Sequence, residues 1–278
     1  MELTQEQNDM LSGKRGNAVK KSMGILVALG EIFGAKRLLP VKSVQVSGVS
    51  YHNLGDAGLE FLEEMAKDGK VRVRTTLNPA GMDRERWREL GIPEDFAEKQ
   101  IQVIDAFGKM GIETTCTCTP YLIGNKPEKG DHISWGESSA VTYANSVLGA
   151  YTNKEGGPSA LAAALTGFTP EYGYHLEETR QPNFVVNVAA KVDSPMLFGA
   201  LGMVIGKKAE GKVPLIKGIE KASIEELKAF SELGRRRRRY GVVRSSRHAG
   251  PVSRTYCVED LAVRTKHPAP HHAGEQGV

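Results

Sequence analysis

Cysteine is scarce in this 278-residue chain, with only Cys116, Cys118 and Cys257. Three thiols are too few for a disulfide framework and fit a reducing compartment. Long apolar runs are missing, so no stretch reads as a membrane-spanning helix. The opening residues Met1-Glu2-Leu3-Thr4-Gln5-Glu6 have neither a basic leader nor an apolar segment, which argues against a secretory signal and for the cytoplasm. No Walker ending of the Gly-Lys-Ser/Thr type follows any glycine-rich turn, and no G-x-G-x-x-G follows a strand, so a nucleotide site is not supported. What remains is the composition of a globular protein: 40% hydrophobic, 25% charged and 31 glycines.

The formal charge of +4 is unevenly placed. Residues 235–278 hold nine arginines and Lys266 against Glu259, Asp260 and Glu275, a net +7, whereas the first 234 residues carry 27 basic and 30 acidic side chains, a net −3. Arg235 to Arg239 are five consecutive arginines, followed by Gly-Pro, His-Pro-Ala-Pro-His-His and a Gly-Glu-Gln-Gly end. Three readings of this segment stand side by side. It is a disordered basic tail, a nucleic-acid-binding arm with only Tyr240 and Tyr256 as aromatics, or an out-of-frame product. The last follows because alanine GCG codons read one base late become arginine CGG, and a foldable pattern breaks off here mid-element.

Before that point helices and strands alternate. Apolar spacing predicts helices over Asn17–Phe33, Ala57–Ala66, Glu137–Leu148, Ala160–Leu165 and Pro195–Ile205. Pro93 is read as the first residue of another helix, which Gly111 ends. Ser223 with Glu226 forms a capping box for a last one. Strands are expected at Leu38–Val41, Val44–Val46, Val71–Thr75, Thr114–Thr119, Phe184–Val192 and Val213–Ile216. The alternation implies an α/β fold with mostly parallel sheets flanked by helices.

The chemistry-bearing residues lie in the turns. Ser47-Gly48-Val49-Ser50-Tyr51 and Thr75-Thr76-Leu77-Asn78-Pro79-Ala80-Gly81 each follow a predicted strand. Ligands of open α/β sheets bind outside the carboxyl ends of strands, so both turns are well placed. Backbone N–H groups and the hydroxyls of Ser47 and Ser50 suit an anion. Asn78 suits a carboxylate or phosphate, or else forms an Asx-turn before Pro79. In Thr115-Cys116-Thr117-Cys118-Thr119-Pro120-Tyr121 a strand would turn both thiols to one face. They are core residues or metal ligands, but C-x-C alone is not a complete site. His132 is a further ligand candidate, or it packs. Trp135-Gly136-Glu137-Ser138-Ser139 precedes a helix carrying Asn145-Ser146, where Glu137 suits acid–base chemistry, or Ser138 or Ser139 caps the helix. Gly156-Gly157-Pro158-Ser159 is a similar loop-to-helix junction.

Taken together, Ser47–Tyr51, Thr75–Gly81, Thr117–Tyr121, Glu137–Val141 and Ala144–Ala150 resemble the aconitase X family in its archaeal form. The resemblance runs in order from the N-terminus to Gly234. It implies an aconitase-like α/β fold over residues 1–234, incomplete at the C-terminus, and a large subunit that pairs with a small swivelling-domain subunit as a heterodimer. It implies a hydro-lyase with an iron–sulfur cluster of the 4Fe-4S type. The implied reaction converts (R)-5-phosphomevalonate into trans-anhydromevalonate 5-phosphate in an archaeal-type mevalonate route to isoprenoids. By motif, Cys118 is the cluster ligand and Gly48, Val49, Ser50, Asn78, Pro79, Glu137 and Ser138 contact substrate, while the base is a serine on the small subunit. Cys116 has no counterpart role.

Family members continue past the last predicted helix with two further cluster cysteines and a late basic substrate contact. Here the pattern stops at Gly234, Cys257 sits in no recognisable motif, and Arg74 stands where proline is frequent. An out-of-frame tail would leave the chain with little or no activity. Two other functions stay open: a related hydro-lyase acting on another hydroxy acid such as cis-3-hydroxyproline, and a non-catalytic protein binding nucleic acid through its basic end.

Overall fold

The computed structural model describes residues 1–209, 212–234, 244–245 and 255–258. The chain opens with α1 (Gln5–Leu11), which the sequence pattern did not announce. Its start is fixed by a capping box in which Thr4 Oγ1 accepts from Gln7 N–H and Gln7 Oε1 from Thr4 N–H. Next come α2 (Asn17–Ile32), β1 (Leu38–Pro40), β2 (Ser43–Val46), α3 (Tyr51–Met65), β3 (Arg74–Leu77) and α4 (Glu94–Lys109). They are followed by β4 (Ser134–Trp135), α5 (Ser138–Tyr143), a π-helical turn (Ala144–Leu148), α6 (Gly157–Thr166) and β5 (Phe168–Pro170).

The central sheet of this part is parallel, in the order β3-β2-β4. Val44 and Val46 of β2, Leu77 of β3, Leu62 and Met65 of α3, Phe107 of α4 and Leu165 of α6 form its main core. Helix α6 is buried along nearly its whole length, and its alanines let it lie close against α2 and β2. Strands β1 and β5 form a separate antiparallel pair.

A second parallel sheet begins at β6 (Phe184–Val188) and continues with α7 (Pro195–Ala209), β7 (Pro214–Lys217) and α8 (Ile224–Gly234). Its core is Phe184, Val186, Phe198, Leu201, Ile205 and Phe230. The Ser223–Glu226 box is present: Ser223 N–H donates to Glu226 Oε2 and Glu226 N–H to Ser223 Oγ. Beyond Gly234, Arg244–Ser245 (β8) pairs with β7 and Thr255–Val258 (β9) pairs with β6, both parallel. The rest of 235–278, including the arginine run, lies outside the described residues. A partly open, mainly apolar pocket of about 250 Å³ is lined by residues of the π-helical turn, α7 and α8, including Val147, Leu201 and Phe230. Among the described residues no helix is long and apolar enough to cross a membrane.

Several boundaries differ from the sequence expectation. Helix α3 starts at Tyr51, not Ala57, and Gly55 interrupts it with φ 60° and ψ −172°. The periodic apolar face lies only beyond that break, so pattern alone sees the second half. Strand β3 is displaced to Arg74–Leu77, and β6 stops at Val188. Pro93 is the N-cap of α4 rather than its first residue. The segment 114–119 is no strand. Thr115 donates its hydroxyl to Leu77 O, Thr119 N–H bonds Thr117 Oγ1, and Cys116 takes φ 46°. Threonine hydroxyls compete for the backbone bonds a strand would need.

Candidate active site

The carboxyl edge of β3-β2-β4 gathers the predicted motifs. Beyond β2 and β3, Asn78 N–H donates to Val46 O at 2.9 Å, and beyond β4, Gly136 N–H donates to Gln45 O at 3.0 Å. The turns after all three strands therefore leave the sheet side by side. Thr117 N–H donates to Leu77 O at 3.1 Å, which brings the Cys116–Thr119 loop to the same edge. Gln45, fully buried on β2, donates from Nε2 to Thr117 O at 3.1 Å, and its Oε1 is buried with no hydrogen-bond partner.

Close packing joins these turns. A Cβ on Gly136 would overlap Ser47 Oγ, and one on Gly157 would stand 2.9 Å from Ser47 O. Gly81 faces Ser50 Oγ in the same way, at 2.7 Å. Gly48 needs its lack of a side chain because its φ is 77°. Ser47, Gly48, Ser50, Asn78, Pro79, Glu137 and Ser138 all retain solvent contact, whereas Val49 is buried. Asn78 Oδ1 is buried without a partner, so the Asx-turn is not formed and the amide is left for another group.

Glu137 itself is the N-cap of α5, in place of Ser138 or Ser139. Its Oε2 accepts from Ala140 N–H at 2.7 Å and from Ser139 Oγ at 2.5 Å, and its Oε1 from Ser138 Oγ at 3.4 Å. The carboxylate is thus held in one orientation at the mouth of the edge. Ser159 at the head of α6 accepts from Gly156 N–H at 3.0 Å and lies 2.6 Å from Glu155 Oε2. Glu155 is a residue that sequence spacing did not single out. It sits just after the bridge between Trp135 and Lys154. Burial pushes its carboxyl up from the ordinary range, against the Ser159 bond, and Oε1 has no hydrogen-bond partner.

Cys118 is exposed at this edge and Cys116 is half-buried against the main core. Their side chains do not share the face a strand would have given them. Among the described residues no group of three or more His, Cys, Asp or Glu could hold a metal ion. An iron–sulfur cluster is held by several thiolates, and the described residues do not by themselves make such a set. His132 is not at this edge as a ligand. Its Nδ1 lies 2.9 Å from Nδ1 of the buried His175.

A parallel sheet with the predicted motifs gathered at its carboxyl edge, followed by a second unit of parallel strands and helices, makes this an α/β protein of two successive units. The first-domain model of the aconitase X family matches residues 1–178 and the second-domain model residues 182–231, and the chain belongs to that family. It is 53% identical over 227 residues to the phosphomevalonate dehydratase large subunit of Methanocaldococcus jannaschii, covering 80% of this chain and 56% of that protein. It is 37% identical over 226 residues to a cis-3-hydroxy-L-proline dehydratase of Pseudomonas aeruginosa, covering 80% of this chain and 38% of the relative. The holo-form crystal structure of Thermococcus kodakaraensis aconitase X superposes with a TM-score of 0.83 at 44% identity, over 93% of this chain and 67% of that one. The chain thus spans a little over half the length of the phosphomevalonate dehydratase subunits it matches.

Proposed function

We propose that the chain carries the substrate-binding edge of a hydro-lyase large subunit that dehydrates (R)-5-phosphomevalonate to trans-anhydromevalonate 5-phosphate. The observation that carries this is the convergence of Ser47–Ser50, Asn78–Gly81, Cys116–Thr119 and Gly136–Ser139 at one sheet edge. Higher identity to the phosphomevalonate dehydratase subunits than to the hydroxyproline dehydratases favours the phosphorylated substrate.

In this reading the backbone N–H groups of the Gly48–Ser50 turn and the Ser50 hydroxyl bind an anionic end of the substrate. Asn78 and Pro79 form the facing wall. The carboxylate of Glu137, fixed by three donors, and the Ser138 hydroxyl orient the substrate's polar groups. Cys118 would hold one corner of a 4Fe-4S cluster through its thiolate, and the cluster would need further ligands beyond the described residues. When bound, such a cluster would supply Lewis acidity to help a hydroxyl depart as water. The partner is a small swivelling-domain subunit that closes the edge and brings a serine as base, in the cytoplasm.

The test is anaerobic reconstitution of the chain with iron, sulfide and the small subunit, followed by NMR of (R)-5-phosphomevalonate. Cluster absorbance together with formation of the alkene is the expected result. Absence of both overturns the reading, and turnover of cis-3-hydroxy-L-proline in its place selects the other substrate class.

A further inference from the structure

We propose that Gln100 is a positioning residue that holds the Val49–Tyr51 turn in its anion-receiving shape. The inference rests on the role given above to Gly48, Val49 and Ser50.

Gln100 sits on α4, fully buried. Both ends of its amide are used on the turn. Oε1 accepts from Tyr51 N–H at 2.9 Å and Nε2 donates to Val49 O at 2.9 Å. These two backbone groups flank Ser50. A serine at a helix N-cap ordinarily turns its hydroxyl inward to accept from the first-turn N–H groups. Ser50 is the N-cap of α3 but makes no such side-chain bond. Gln100 on another helix takes the first N–H of α3, that of Tyr51, and the third, that of Asn53, goes to Ser50 O at 2.9 Å, which leaves the Ser50 hydroxyl outside the cap.

The second proposed substrate segment meets the same point. A Cβ on Gly81 would lie 3.4 Å from Gln100 Oε1, besides its approach to Ser50. Gln100 therefore stands where the Ser47–Ser50 turn and the Asn78–Gly81 loop close on each other. Packing alone does not ask for an amide here. The neighbouring buried residues on α4 are apolar Ala97, Val103, Ile104 and Phe107, and burying an amide costs free energy unless it is fully bonded.

The experiment uses the full chain with the small subunit and the variants Gln100→Leu and Gln100→Glu. Affinity for (R)-5-phosphomevalonate is measured by calorimetry, and amide exchange over residues 49–54 by mass spectrometry. Gln100→Leu is expected to bind about tenfold more weakly, with faster exchange at 49–54 and with KM changed more than kcat. In Gln100→Glu the deficit relative to wild type is expected to shrink as pH falls. A protonated carboxyl restores both a donor for Val49 O and an acceptor for Tyr51 N–H, which a purely space-filling role would not reproduce. Wild-type affinity in Gln100→Leu, or a loss in Gln100→Glu that acid does not recover, overturns the proposal. Should wild type itself fail to bind, the functional reading falls and exchange decides the clamp: unchanged protection at 49–54 overturns it, faster exchange sustains it. If Gln100→Leu does not fold, Gln100→Glu is compared with wild type across pH: recovery in acid sustains the clamp, and no recovery overturns it.

Discussion

A histidine sealed from water resists taking up a proton. Burial, with the His132 ring and the Arg180 guanidinium nearby, pushes His175 down to about 3. The unfolded chain binds that proton near pH 6.5, whereas the folded protein does not. A depressed folded pKa therefore contributes stability that is present above pH 6.5 and is lost progressively as pH falls toward 3. Melting temperature measured between pH 6.5 and 5, above the titration range of most surface carboxylates, is expected to fall in wild type. It should fall less steeply in His175→Gln, whatever that substitution costs at neutral pH. Equal slopes would show that His175 is not the group responsible.

The π-helical turn Ala144–Leu148 illustrates what an element can hide. Its amphipathic pattern continues that of α5, so the sequence reads one helix from Glu137 to Leu148. The change of winding follows from Asn145. Its Nδ2 donates to Val141 O and Thr152 O, and its Oδ1 accepts from Thr152 N–H at 3.2 Å and Arg180 Nη1 at 2.6 Å. Thr152 and Arg180 lie beyond the helix, so helical spacing could not reveal them. Asn145→Ala should cost roughly 3 kcal/mol, because it strips hydrogen bonds from a buried cation and buried backbone together. Urea unfolding is expected to show a lower midpoint at unchanged slope; a loss below about 0.5 kcal/mol would mean the network is not structural.

The same contrast runs through the site. Gly48, Ser50, Asn78 and Glu137 could be picked out because each follows a strand or opens a helix, and topology then places them at one edge. Gln45, Gln100 and Glu155 could not, since a polar residue in a short strand, an amphipathic helix or a polar loop looks like ordinary surface until its burial is known. The strand expected at Thr114–Thr119 failed for a related reason. Its β-prone composition is that of threonine, whose hydroxyls here bond backbone groups, Thr115 that of Leu77 and Thr117 that of Thr119.

In the molecule as a whole, the core around Leu165 and the core around Leu201 share no residue. Each of the two leucines is almost wholly buried. Leu165→Ala and Leu201→Ala should each cost about 2–5 kcal/mol. Hydrogen exchange is expected to separate them: the first loosens α6 and β2 and leaves α7 protected, and the second does the reverse. Loss of protection in both units from either substitution would show one cooperative core instead.

The sheet edge has one more consequence, which concerns time. Its turns are contributed by residues from Ser47 to Ser159, and strands β2, β3 and β4 must all be in register before those turns meet. Contacts so distant along the chain form late, because loop closure precedes any gain from them. A refolding chain should therefore acquire helix well before it acquires any affinity for an anion. Ligand capture would then mark the completion of folding and not its onset.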